Sequence, residues 1–115
     1  MLPSKLRIHK SFFEEIFKKG FFYSGQNINL VLLKKPEITK YGSKFAFSVS
    51  KKNVKNAVKR NFLRRRGFSV IKNSKNDIKT GFLGVFVLKT GAEKLPFEDF
   101  SEEIKNLLKK SSLLD

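Results

Sequence analysis

Residues 81–89, GFLGVFVLK, carry apolar side chains on both faces of an extended chain. Such a segment cannot lie against water on either side, so it belongs inside a sheet with cover above and below. With 115 residues in all, the chain can supply that cover only as one domain around one core, 1–115, with no room for a deep catalytic cavity as well. The 13 phenylalanines in a chain that is 40% hydrophobic are enough to fill it.

The elements that surround this strand follow from periodicity. Residues 11–19, SFFEEIFKK, read as a short helix with Phe13, Ile16 and Phe17 on one face, Ser11 and Glu14 as a capping box, and Gly20 as the stop. Residues 27–35, NINLVLLKK, suit a strand ended by Pro36. Residues 44–50, KFAFSVS, alternate as a second strand, with Phe45, Phe47 and Val49 on one side and Ala46, Ser48 and Ser50 on the other. The two strands are expected to pair as an antiparallel hairpin across the turn-like EITKYGS. Phe97, Phe100, Ile104, Leu107 and Leu108 recur at helical spacing through residues 97–110. The order α-β-β-α-β-α describes a compact α+β sandwich.

Charge is distributed unevenly along these elements. The formal net charge is +15, and residues 38–76 contain no Asp or Glu. Their twelve cations are Lys40, Lys44, Lys72 and Lys75 together with eight in the segment SVSKKNVKNAVKRNFLRRRGFSV, residues 48–70: Lys51, Lys52, Lys55, Lys59, Arg60, Arg64, Arg65 and Arg66. A helix is expected from a cap at Asn53 to about Arg66, where Gly67 interrupts it, followed by a frayed stretch and loop. Val54, Ala57, Val58, Asn61 and Phe62 would be its packing stripe, with Arg65 at the edge. Lys52, Lys55, Lys59 and Arg66 form a second stripe, and Asn56, Arg60 and Arg64 a third. Cations crowded this way repel one another until a polyanion relieves them, and arginine favours forked contacts to phosphate. The segment therefore reads as a nucleic-acid contact.

Catalytic groups are scarce. His9, the single histidine, has no partner in sequence and reads as a solvated residue or a phosphate contact. Glu14–Glu15 and Glu102–Glu103 are adjacent on helices, where neighbours diverge by ~100°, so neither pair converges on one atom and both read as helix-dipole partners on solvent faces. Ser48 and Ser50 lack a nearby base and acid. Without cysteine there is no disulfide framework or thiolate metal site. The leader MLPSKLRIHK has no signal-peptide core, no 18-residue apolar run occurs, and a cytoplasmic protein is expected. On charge alone, a general or ribosome-associated RNA-binding module remains an alternative to a processing factor.

The central pattern SVSKKNVKNAVKRN, followed by LRR, resembles the signature of the protein subunit of bacterial ribonuclease P. LRIHKSFFEEIFKKG is similar to that family's N-terminal basic stretch and Phe-x-x-x-Phe helix, and GVFVLKTGAEKLPFEDFSEEIKNLLKK matches its ending in order and spacing. The resemblance covers essentially the whole chain. It implies a two-layer α/β sandwich with a small mixed sheet, αβ(β)βαβα in order, with a left-handed β-α-β crossover through the basic helix. It further implies that catalysis belongs to an RNA subunit that binds Mg²⁺, with no organic cofactor. The partners it implies are that RNA and the 5′ leader of precursor tRNA, with no membrane and no obligate protein partner.

Carried over by position, Arg60, Asn61, Arg64 and Arg65 match the family's basic-helix motif, with Lys51 and Lys52 just before it. Lys55, Lys59 and Arg66 extend the same RNA-binding surface. Phe13 and Phe17 match the aromatic pair bordering the leader cleft, Lys44 a basic position at the start of the second strand, and Ser48 and Ser50 its exposed wall. Phe62 stands where the family has the second Arg of its Arg-Asn-Arg motif, and Arg66 where an apolar residue is usual. Gly67 and Phe68 replace a helical pair that normally ends in Arg, and Val31 takes a strand position that is often aromatic.

Overall fold

A computed structural model describes residues 8–115; the first seven residues of the basic N-terminal stretch lie outside the described residues. A 3-10 turn at Lys10–Phe12 leads into α1 (Phe13–Lys19). Then come β1 (Phe21–Ser24), β2 (Ile28–Lys34), the short α2 (Pro36–Thr39), β3 (Lys44–Val49), α3 (Ala57–Ser74), β4 (Phe82–Leu88), a second 3-10 turn at Ala92–Lys94, and α4 (Phe97–Lys110). The four strands form one mixed sheet in the order β1-β2-β4-β3.

The doubly apolar strand occupies the interior, as its composition requires. β4 pairs antiparallel with β2 and parallel with β3. On one face Phe86 and Leu88 join Phe45, Phe47, Val70, Ile71, Phe100 and Ile104 in the main core beneath α3 and α4. On the other, Leu83 and Val85 join Val31 and Ile16, the latter fully buried on α1. The expected hairpin between residues 27–35 and 44–50 does not form. β4 needs a neighbour on each edge to satisfy its backbone, so β2 and β3 stand on opposite sides of it. The antiparallel partner of β2 at the sheet edge is instead β1, which periodicity alone did not mark. β3 and β4 thus become adjacent parallel strands joined through α3, the β-α-β unit and the αβ(β)βαβα order that the resemblance implies, with α2 as an added turn of helix.

Helix α3 departs most from its periodicity. It starts later than expected, capped by Asn56, whose Oδ1 accepts from the Val58 and Lys59 amides at 2.8 and 3.3 Å. It then runs through Gly67 to Ser74, so residues 67–74 are helix rather than loop. Its buried stripe is Leu63, Gly67, Val70, Ile71 and Ser74. Of the expected stripe only Val54 is buried, and it lies in the loop before the helix. Val58 and Phe62 are exposed. Gly67 does not break the helix because it is the point where α3 closes on the sheet: a Cβ built there would overlap the Phe47 ring. Phe68, beside it, meets Phe47 edge-on at 5.2 Å between centroids.

Two other readings change. Ser11 and Glu14 do not form a capping box; the Nδ1 of His9 accepts from the Ser11 amide at 3.2 Å and pairs with its hydroxyl, and α1 starts without a side-chain cap. Glu103 is not a solvent-facing acid. Its carboxylate accepts from the backbone amides of Asn27 and Ile28, both at 2.6 Å, and from Asn27 Nδ2 at 3.2 Å, fastening α4 to the β1–β2 turn.

Gly67→Ala should lower stability by about 1–3 kcal/mol through overpacking against Phe47, although alanine is the better helix former. Urea unfolding followed by far-UV circular dichroism would measure it, and a stabilised variant would mean that α3 does not approach β3 as closely as described.

Candidate nucleic-acid interface

The burial pattern of α3 divides the helix in two. From Leu63 onward it is packed on the sheet, whereas no residue between Ala57 and Phe62 is buried. The first turns therefore project from the body and carry Lys59, Arg60 and Asn61, with Arg64, Arg65 and Arg66 following. Lys51, Lys52 and Lys55 are exposed on the preceding loop, residues 50–56, so that loop and helix tip form one electropositive surface. The ion pairs among the described residues involve Lys18, Lys35 and Lys79; none of the cations from Lys51 to Arg66 has a carboxylate partner.

Three of the arginines are held by neutral partners. Arg60 Nη1 donates to the carbonyls of Val54 and Lys55, both at 2.8 Å, tying loop to helix. Arg64 Nη1 donates to Asn61 Oδ1 at 2.9 Å. The Arg66 guanidinium sits over the Phe62 ring at 4.6 Å and the Phe97 ring at 5.5 Å, and both rings are more than 40% exposed. These contacts orient each guanidinium while leaving its charge uncompensated. Periodicity assigned Phe62 and Phe97 to packing and missed this cation–aromatic cluster. Its signal was local: Phe62 and Arg66 are four apart on one helix and so share a face.

The loop is fixed at its far end as well. Asn53 is not a helix cap: its Nδ2 donates to the Leu88 carbonyl at 3.2 Å and its Oδ1 accepts from the Thr90 hydroxyl at 3.0 Å. Ser50 falls just past the end of β3, where its carbonyl accepts from the Asn53 and Val54 amides and its Oγ from Asn53.

A second surface lies on the opposite face of the sheet. α1 packs on β2 and β4 through Ile16. Beside it runs the outward row of β3: Lys44 paired with Leu83, Ala46 with Val85 and Ser48 with Val87. Phe13 packs on the same apolar cluster as Ala46 and Val87, while Phe17 is 52% exposed. Phe13 on α1 and Lys44 and Ser48 on β3 thus lie on the same face of the sheet, with Phe17 exposed on α1 one turn beyond Phe13 and Val31 buried beneath α1. Lys35, just past β2, holds α1 to the sheet: its Nζ donates to Glu15 Oε2 at 2.8 Å and lies 5.9 Å from the centre of the Phe12 ring. Both surfaces offer cations and aromatic faces, the groups that hold phosphates and unpaired bases.

A family model described as Ribonuclease P matches residues 2–112. The chain is 33% identical to the ribonuclease P protein component of Microcystis aeruginosa, with 98% of this chain and 96% of the relative aligned. It is 32% identical to that of Phytoplasma australiense, over 81% of this chain and 70% of the relative. Among solved structures, the RNase P protein of Staphylococcus aureus superposes with a TM-score of 0.85 at 23% identity, covering 96% of this chain and 98% of the other. The Thermotoga maritima protein gives 0.80 at 24%, covering 90% and 96%.

The Lys35 hydrogen bond holds the Glu15 carboxyl below its ordinary range, helped by the nearby charges of Lys35 and Lys19 and opposed by burial. The same bond raises Lys35. A depressed carboxyl contributes stability above its unfolded value, about 4.3, and loses that contribution as pH falls through the lower folded value. A raised lysine contributes fully at neutral pH and loses its share only above about 10.4. Stability measured from pH 6 to pH 3 should therefore fall less steeply in Glu15→Gln than in the wild type. Parallel curves would mean that the pair does not anchor α1.

Proposed function

The chain belongs to the ribonuclease P protein family, the non-catalytic protein subunits of a ribonucleoprotein that matures tRNA 5′ ends, and from that premise we propose how its two surfaces divide the work. The projecting half of α3 and the loop before it bind the catalytic RNA. The sheet face that α1 shares with the outward row of β3 receives the single-stranded 5′ leader of precursor tRNA. The observation that carries this reading is the set of cations from Lys51 to Arg66, which is without carboxylate partners among the described residues although the chain has acids elsewhere.

The physical logic is additive. RNA phosphates replace the missing counter-charge, and each one contacted releases condensed counterions. Lys51, Lys52, Lys55, Lys59, Arg60, Arg64, Arg65 and Arg66 provide the charge, and Asn61 a neutral donor beside Arg64. On the second surface, Phe13 and Phe17 supply faces for unpaired bases, and Lys44 and Ser48 polar contacts from β3, whereas Ser50 belongs to the loop. Holding the leader while the RNA subunit holds the rest of the substrate raises the effective concentration of each contact for the other.

Among the described residues no three His, Cys, Asp or Glu side chains gather where a metal could be held. Mg²⁺ would be held by the RNA subunit, where it would activate the attacking water, and the protein would supply binding and orientation. No helix of the described residues is long and apolar enough to cross a membrane.

Reconstitution with the cognate RNA subunit at low Mg²⁺ tests the reading. The protein should accelerate release of the leader from precursor tRNA, and the protein alone should cut nothing; RNA binding without stimulation would favour a general RNA-binding module. Within the complex, Arg64→Ala should lower affinity for the RNA subunit and reduce the slope of log K against log salt by about one. Arg60→Ala should do more, because the loop carrying Lys51, Lys52 and Lys55 loses its tie to the helix. Equal, unchanged slopes for both would contradict the assignment of α3.

A further inference from the structure

A cavity of about 370 Å³ opens at the edge of β3, at the end of the strand away from the basic loop and at the end of α3 away from its projecting tip. Tyr41, Ile71 and Ile78 supply apolar wall, and Lys44, Lys75 and Asn76 bring polar groups to it. Of the residues assigned to the two RNA surfaces, Lys44 alone lines it. We infer that this cavity is a binding site for one unpaired nucleotide of RNA, with its base against Tyr41 and the isoleucines and its phosphate on Lys75. The inference rests on reading the acid-free surface as an RNA contact.

Size, chemistry and charge converge on that occupant. Ligand sites of this kind run from ~300 Å³ upward and combine apolar walls with a few polar groups, and a single nucleotide matches that mixture. Tyr41 is 91% exposed although it is a large aromatic with no core role, and Lys40 Nζ lies 5.1 Å from the centre of its ring. Such a ring with a cation at its side is a stacking surface for a base. Asn76 carries both a donor and an acceptor for a base edge. All the cavity's lining residues but Ile78 fall within residues 38–76, where there is no acid, so a phosphate there meets only positive side chains from that segment.

The site is also built in advance. Ser43, which lines the cavity, is buried; its hydroxyl donates to the Lys79 carbonyl at 2.6 Å and accepts from the Phe82 amide at 3.1 Å. Thr39 is buried too, donating from Oγ1 to the Lys35 carbonyl at 2.6 Å, while its own carbonyl accepts from the Gly81 amide at 3.1 Å. The loop between α2 and β3 that presents Tyr41 is thereby fixed to the entry of β4. Little ordering is left for the moment of binding.

The experiment uses the full chain with its RNA subunit and two precursor tRNAs, one with a long 5′ leader and one with none, comparing wild type with Tyr41→Ala, Tyr41→Phe and Lys75→Ala. Photo-crosslinking of 4-thiouridine-substituted RNAs is mapped in parallel. The expected result is that Tyr41→Ala weakens one RNA interaction by about fivefold or more, the effect of losing one stacked base. Tyr41→Phe restores it, Lys75→Ala lowers the salt slope by about one, and a crosslink falls on Tyr41. Loss in binding the RNA subunit would make its nucleotide the occupant; loss only with the long-leader substrate would make it a leader nucleotide. Wild-type binding that the Tyr41 and Lys75 variants leave within twofold, with no crosslink at Tyr41, overturns the site alone. Failure of the wild type to bind either RNA overturns the reading of the acid-free surface as well.

Discussion

Val85 and Phe86 are wholly buried although their side chains leave β4 on opposite faces, and the rest of the chain is arranged to make that possible. β2 and β3 complete the hydrogen bonding of β4 along both edges. α3 and α4 close one face and α1 the other, so each helix is held chiefly by the apolar surface it removes from water. Because β3 and β4 run parallel side by side, the chain must travel the length of the sheet between them, and the helix that does so is the basic one. The position of the electropositive surface is therefore a consequence of sheet topology.

That surface stands apart from the local rules obeyed elsewhere. Helices usually interleave charges of opposite sign and bury a continuous stripe; α3 does neither over its first turns. Its tip carries like charges in water and contributes no apolar contact to the core, an arrangement that costs stability in the free protein. Such conflicts between local preference and global fold are expected where a partner completes the structure. The packed half of the helix, from Leu63 to Ser74, carries the stability that lets the tip remain uncompensated.

Much of this was legible from residue order, and the failures have physical causes. β4 was readable because both faces were apolar, α4 because its apolar residues keep helical spacing over fourteen residues, and the basic segment because its charge is unbalanced. The pairing of β2 with β3 was misjudged because sequence neighbours usually pair, and only the demand of β4 for two partners separates them. β1 was missed because Phe21 and Phe22 are both exposed at the sheet edge, which leaves no alternation to detect. The phase of α3 is hidden in the sequence because Gly67, which resembles a helix stop, instead makes room for Phe47 within the helix. The packing of Phe13 on the same cluster as Ala46 could be anticipated only by resemblance, since no local pattern brings α1 and β3 to one face of the sheet.

The crossover loop is stitched at both ends, by Arg60 to the carbonyls of Val54 and Lys55 and by Asn53 to the Leu88 carbonyl and the Thr90 hydroxyl. Its lysines consequently hang from a rigid bracket, and only their own rotors remain to be frozen when a phosphate arrives. A polymer meeting such a bracket has to conform to the spacing already set by the protein. Rigidity in seven residues of connecting chain would thus act as a ruler, rejecting strands whose phosphates cannot reach the same intervals.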